Sequence, residues 1–285
     1  MNLLMCLTMK TSNPQSWQEQ NTHQRLKTLC CFLSAYATAM LSAGATTSRI
    51  ERCVNRIASR YGVGIDLSIL PTRVLMSVWD VNHHHYYSIV GPTQSDGINL
   101  AVSTELSLLS HEIEEWRPTE EVPEPVMPIA LATAKMNGII ATPRINHWAV
   151  IVLTSVANLS FCKLFGGDLS AMAIVFVATA VGFFYKEKML SWHIDGKLVV
   201  LLSAMISAIL GASGFIFGIS TTPETALGTS VLWLVPGIRF INAVSDMLRG
   251  QYLVAQSRMS EALIITICLS MGLCLALLIT KIQWV

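Results

Sequence analysis

The chain has 285 residues, 52% of them hydrophobic and only 13% charged, with a net charge of +1 and a mean hydropathy of +0.52. Soluble domains carry roughly 25% charged residues, and disordered chains are poor in aliphatics. The balance therefore excludes an ordinary soluble protein, a disordered chain and a basic nucleic-acid binder. The charge is also uneven, with 23 charged residues in the first 144 and 14 in the last 141, which predicts a water-soluble front and a membrane-embedded back.

Residues 1–21 read as a flexible tail. Met1 to Met9 is apolar but has no basic n-region or small-residue cleavage site, so it does not read as a signal peptide. Leu26, Leu29, Leu33, Tyr36, Ala37 and Met40 recur at helical spacing over 22–43. Ser48-x-x-Glu51 has the form of a capping box and opens a second predicted helix to Tyr61. Its Arg49, Arg52, Arg56 and Arg60 share one face, read as a solvated or membrane-facing surface rather than a nucleic-acid contact. Ile65, Leu67 and Ile69 alternate with polar residues as in a strand, and strands follow around 74–78 and 86–90. Gly97 precedes a helix over about 98–116. The order predicts a cytosolic α+β domain over 22–117. Residues 118–143, which begin with several prolines and glutamates, read as a Pro-rich linker and juxtamembrane segment.

Two other features carry no chemistry. His83, His84 and His85 are adjacent in a strand pattern, so their side chains alternate in direction; a hairpin turn is favoured over a metal site. The seven cysteines are odd in number and contain no C-x-x-C pair. No nucleotide, hydrolase or metalloprotease motif occurs. The sequence thus predicts no catalytic residue, no metal and no cofactor.

After Pro143, four uncharged runs of 17 to 26 residues fall at 145–162, 169–185, 198–223 and 262–280. A bilayer-crossing helix needs about 17–25 such residues. A fifth segment, 225–248, is uncharged only to Ile238. Residues 144–285 thus predict an all-α membrane domain of five transmembrane helices, about 145–163, 169–186, 198–219, 225–248 and 261–281. Arg144, Lys186, Lys188, Lys197, Arg249 and Arg258 fall on one side and Lys163 and Lys281 on the other, which orients the chain N-in and C-out.

The fourth span holds the candidate site. Pro236 removes a backbone donor and Gly237 loosens the chain beside it. Arg239, Asn242 and Asp246 follow at spacings that share one helical face. Polar groups beside a broken helix are the sequence pointer to a transport site. A plainer reading stays open: Arg239 snorkels, Asn242 bridges helices, and Asp246 lies at the interface. Asn158, Lys163, Gly166, Gly167 and Asp168, in and after the first span, are further candidates for the substrate or proton path.

The residues Gly44-Ala45, Arg49, Glu51, Gly97-Ile-Asn99, Phe161-Cys-Lys-Leu-Phe-Gly-Gly-Asp168, Val235-Pro-Gly237, Asn242-Ala243 and Asp246 resemble, in order and spacing, the threonine/serine exporter (ThrE) family. The pattern is similar to the YjjP-type large subunit of its two-component form; Arg239 stands outside the motif. The resemblance implies a subunit of an inner-membrane secondary exporter, driven by the proton-motive force, for threonine and serine or a succinate-type dicarboxylate. It also implies a separate small YjjB-like membrane subunit and an oligomeric complex, because single-chain members carry a further group of spans. A membrane-anchored enzyme, and a regulatory subunit whose soluble domain gates a partner, are the competing readings.

Overall fold

The computed structural model describes residues 14–80, 85–92, 98–118, 122–142 and 146–281, with side chains from His23 onward. His83, His84, Gly97, Arg144 and most of the N-terminal tail lie outside the described residues. The chain is mostly helical, with one small sheet near its N-terminus, and divides into two compact units. One comprises residues 1–142 together with 245–254; the other comprises 143–244 with 255–285.

In the N-terminal unit, α1 (Pro14–Ser42) and α2 (Thr47–Tyr61) precede β1 (Val63–Ile69), β2 (Arg73–Asp80) and β3 (Tyr86–Pro92). The strands form an antiparallel meander, β1-β2-β3, in which Leu67 pairs with Met76 and Met76 with Ile89. Val74, Met76 and Val78 alternate inward and are fully buried, as a half-buried strand requires. Helix α1 packs on β2 and β3, where a Cβ on Gly91 would press on the Ser34 and Thr38 hydroxyls. Gly62 ends α2 in the left-handed region at φ 69°, its N–H reaching the Ala58 and Ser59 carbonyls.

Helix α3 (Leu100–Glu114) starts at Asn99, whose side chain accepts from the Val102 N–H, and closes over α2. Tyr36 Oη donates to the Leu106 carbonyl at 2.6 Å, so a phenol deep in the core keeps a partner. Within the stretch read as a linker, α4 (Ile129–Ile140) packs Ala132 and Met136 into this same core. Tyr61 Oη donates to the Met127 carbonyl just before it, at 2.6 Å. The arginine face of α2 is partly consumed internally. Arg56 pairs with Glu114 at 3.1 Å and bonds Ser110, and Arg60 holds the Trp116 and Pro125 carbonyls.

The second unit is built from α5 (His147–Leu164), α6 (Leu169–Ser191), α7 (Gly196–Gly211), α8 (Ser213–Ile216) and α9 (Pro223–Ser230), followed by a 3-10 turn at Leu232–Leu234. Then come α10 (Gly237–Leu248) and α11 (Tyr252–Thr280), whose adjoining ends, 245–254, belong to the N-terminal unit. Asn146, Asp168 and Asp195 each accept a backbone N–H at the start of α5, α6 and α7.

Among the described residues four helical segments, His147–Leu164, Leu169–Ser191, Gly196–Ile216 and Tyr252–Thr280, are long and apolar enough to cross a membrane. There are five if the bent pair Pro223–Leu234 and Gly237–Leu248 counts as one. Exposed Leu153, Leu169, Ile241 and Leu278 give the unit an apolar exterior. The helix that holds the second predicted span, α6, runs on past that span through Glu187 and Lys188 to Ser191. These residues are good helix formers, and long basic side chains carry their heads away from the apolar belt.

Candidate functional site

Three polar constellations stand out among the described residues, two in the helical unit and one in the N-terminal unit. The first surrounds the broken segment. Chain direction changes by 60° between the Pro223–Leu234 and Gly237–Leu248 halves. Val235 is extended, Gly237 N–H reaches back to the Val235 carbonyl at 2.8 Å, and Pro236 has no N–H to donate. Beyond the break, Arg239, Asn242, Ala243 and Asp246 turn inward on α10 while Ile238, Ile241 and Leu248 face out. The predicted polar face is therefore the inner one. Arg239 pairs with Glu261 of α11 at 3.5 Å.

The α9 half of the break packs among α5, α6 and α7 and meets a buried polar centre. Asn158, 2% exposed, donates through Nδ2 to Thr179 Oγ1 at 2.7 Å and to the Thr229 carbonyl at 3.0 Å. The carbonyl fixes the amide's orientation, because only the NH2 end can face it. Among the described residues Asn158 Oδ1 is then left buried with no hydrogen-bond partner, as is the Ser203 hydroxyl on α7. One turn on, Ser207 receives the Trp233 indole N–H at 3.3 Å and donates to the Ala178 carbonyl. An unpaired buried acceptor costs about 1–3 kcal/mol, so the Asn158 Oδ1 suits a polar guest.

At the α5–α6 junction, Gly166 is left-handed at φ 84°, and a Cβ on Gly167 would overlap Cys162. The two glycines stop α5 and deliver Asp168 to the start of α6. Asp168 then accepts from the Ala171 N–H, the Ser220 and Thr222 hydroxyls, and both the N–H and hydroxyl of Thr221. The Thr221 N–H foremost, then Ser220 and Ala171, holds its carboxyl well below the usual carboxylate range. This knot ties the α5–α6 turn to the segment entering α9. Lys163 is exposed beside it and joins none of these bonds.

The third constellation belongs to the N-terminal unit. Asp246 is fully buried, and its Oδ1 accepts both the backbone N–H of Thr47, at 3.1 Å, and the Thr47 hydroxyl, at 2.7 Å. The predicted capping box does not form. The N-cap residue, Thr46, makes no side-chain cap bond, and Glu51 instead accepts from Gln251 Nε2 at 3.0 Å. The α2 N-terminus is satisfied by a carboxylate 199 residues downstream, favourably placed at the positive end of the helix. Burial, then the nearby Asp246 charge, raises the Glu51 carboxyl, with Arg249 opposing.

The structure thus gathers Asn158 with the α9 half of the break, Arg239 with Glu261, and Asp246 with Thr47. It leaves Lys163 apart and gives Gly166, Gly167 and Asp168 to a separate turn. Sequence reading missed Thr179, Ser207 and Thr229, whose hydroxyls look like ordinary helix serines and threonines until the helices are packed. It also missed Thr47. No group of three or more His, Cys, Asp or Glu able to hold a metal occurs among the described residues.

Comparison with known proteins adds a family. The family described as "Putative threonine/serine exporter" matches residues 32–280. The "Probable succinate transporter subunit YjjP" of Escherichia coli (strain K12) is 24% identical over 275 residues, covering 93% of this chain and all of the relative. Its namesake in Klebsiella aerogenes is 22% identical over 268 residues, covering 91% and 96%. No solved structure matches the chain.

Proposed function

The chain belongs to the threonine/serine exporter family, and from that membership we propose that it is one subunit of a secondary exporter for small carboxylate-bearing metabolites. Threonine and serine are the amino-acid candidates, and a succinate-type dicarboxylate, as in the names of the relatives, is the other. Membership of a transporter family implies a non-enzymatic role, and the apolar helices make it a multi-pass membrane protein. On this reading the bent pair is one span, five spans cross the inner membrane N-in and C-out, and residues 22–117 are cytoplasmic. The charge distribution around the spans supports that orientation.

The observation that carries the proposal is the 60° break at Pro236–Gly237 beside the buried Asn158–Thr179–Thr229 centre. Irregular backbone at membrane depth is tolerated where it lines a cavity or lies inside protein, and broken helices place binding sites in transporters. Asn158 contributes an unused acceptor and Arg239 a cation on the inner face of α10. Asp246 is the carboxylate of that same face, with the Glu51 carboxyl as a charged neighbour. Asp168 serves the path indirectly, by fixing the turn that positions α9.

Transporters form their sites between repeats or bundles that move against each other, and the described residues carry one bent helix pair of this kind. The second half of the path then comes from a small YjjB-like membrane subunit, in an oligomeric complex. The hold of α2 on Asp246 favours one refinement, in which the N-terminal unit gates the span that ends there.

Flux of labelled succinate and serine from vesicles containing this chain, the small subunit, or both, tests the proposal. The expected result is pH-dependent flux only with both, and loss of the pH dependence in Asp246→Asn with membrane levels unchanged. Equal flux from this chain alone would overturn the two-subunit reading. Normal pH dependence in the variant would remove Asp246 from the path.

A further inference from the structure

Glu51 carries no step of the exporter reading, yet it stands in a closed ring of hydrogen bonds. Thr47 and Glu51 lie one turn apart on the same face of α2. Asp246, near the end of α10, accepts from the Thr47 N–H and hydroxyl. The chain then turns at Gly250, left-handed at φ 80°, and the Gln251 N–H reaches back to the Asp246 carbonyl at 2.9 Å. Gln251 Nε2 donates to Glu51 and closes the ring. Three side-chain bonds, two from Thr47 and one from Gln251, therefore hold the turn between α10 and α11 against the start of α2.

The ring brings two carboxyl groups to one place. Arg249 in the same turn partly offsets their repulsion. Along α2 the nearest charges are Arg49 and Arg52, and Arg52 Nε donates to the Ser48 carbonyl. Helix α3 meets α2 through Ser107 and Ser110, and its Glu114 pairs with Arg56. Helix α1 faces α2 across the apolar core, and Asp246 is the one buried charged side chain among the described residues.

The two carboxyls are not equivalent. Both Thr47 donors go to Asp246, whereas Glu51 takes a single neutral amide, which a carboxyl oxygen accepts with or without its proton. The ring thus stays complete when Glu51 is neutral. Ionising Glu51 sets a second negative charge beside Asp246, and opening the ring returns both groups to water. Burial and Asp246 raise the Glu51 carboxyl in the closed ring. By linkage, a proton held more tightly by the closed ring favours closure. That contribution is complete below the value of a free glutamate, about 4.3, and is lost as pH climbs through the raised value.

We propose that the ring of Thr47, Asp246, Gln251 and Glu51 is a pH-operated latch on the Asp246 end of the broken span, closed with a proton on Glu51 and released when Glu51 ionises. The latch deepens the gating role given above to the N-terminal unit, and it rests on the exporter reading only for its effect on flux.

Hydrogen exchange of the full chain in lipid nanodiscs, from about pH 4 to 8, tests the latch. Protection factors are read for peptides covering 45–53 and 245–254, with β2 as the reference. Wild-type protection in both peptides should fall as pH rises, by at most about tenfold per pH unit, the limit for one proton. Glu51→Gln should keep protection high and flat. Gln251→Ala should lower protection at every pH and retain the slope, because the charge that drives release is still there.

Wild-type protection without a slope, the same slope in Glu51→Gln, or an equal fall in β2 would overturn the latch. In vesicles holding both subunits, Glu51→Gln should slow export at high pH, where the wild-type latch is open. Wild-type flux at every pH in that variant would overturn the gating role. Absence of any carboxylate flux in the wild-type pair would instead overturn the exporter reading and leave the exchange result standing.

Discussion

The N-terminal unit closes on Leu29, Leu33, Tyr36, Ile50, Ile57, Met76, Leu106 and Ile113, whereas the helical unit closes on Ala171, Ala178, Ser203, Ala204, Ser207 and Ala208. Of the twelve largest fully buried side chains among the described residues, eleven lie in the N-terminal unit and only Leu227 in the helical one. The difference follows from the solvent. In water, burying a large apolar side chain is worth about 1.5–3 kcal/mol, so that core collects bulk. Lipid tails are as apolar as leucine, and helices gain there by close backbone approach and shared hydrogen bonds. Gly182 against Ser207, Gly211 against Ser230 and Gly272 against the Leu201 carbonyl are such approaches, with no room for a Cβ. One chain therefore holds two kinds of core, one sensitive to losing atoms and the other to gaining them.

The sharpest way to break this contrast is to remove bulk where bulk matters. Leu33→Ala should cost about 2–5 kcal/mol, read as lost hydrogen-exchange protection across α1, and a cost below about 1 kcal/mol would deny the N-terminal unit a bulk-filled core. The next largest effect comes from adding one carbon in the helical unit. Gly272→Ala pushes a methyl into the Leu201 carbonyl and should destabilise by about 1–3 kcal/mol. Gly228→Ala, where a Cβ would meet nothing, should be neutral or stabilising by about 0.5–1 kcal/mol. Equal thermal midpoints for the two variants in detergent would erase the distinction between crowded and open helix faces.

The smallest effect probes the polar edge of the N-terminal unit. Glu51 has its carboxyl raised by burial and by Asp246. A raised folded value means that Glu51 favours the folded state below its unfolded value, about 4.3, and that this contribution is lost as pH climbs through the folded value. Glu51→Gln should therefore be slightly more stable than the wild type at neutral pH and lose that advantage below about pH 4. A variant less stable at pH 7 would mean that the Gln251 bond outweighs the charge.

Much of this arrangement was legible beforehand, and the reasons differ by element. The long spans could be read because lipid forbids charge over about 20 residues, and those gaps are visible in a linear string. The break could be read because proline and glycine act locally. The capping box misled because Ser48 and Glu51 have the correct spacing, while the partner that satisfies the helix, Asp246, is set by tertiary packing. The start of α11 at Tyr252 was hidden because Gln256, Ser257, Arg258 and Glu261 look like a loop, although they are sound helix formers outside an apolar belt. Lys186 was counted only as a topogenic charge; its ring neighbour Trp233 comes from a segment 47 residues later.

The membership of residues 245–254 in the N-terminal unit has a consequence for how the protein is made. A ribosome finishes residues 1–142 long before it reaches Asp246, Gln251 and Val254, the residues that supply the α2 cap, a bond to Glu51 and part of the core. The N-terminal fold can be completed only after α5 through α9 have been synthesised. A gene fragment ending at Thr142 therefore lacks the carboxylate that holds the α2 N-terminus, the partner of Glu51 and one core side chain, Val254. Its final closure reports that the intervening helices have already been delivered.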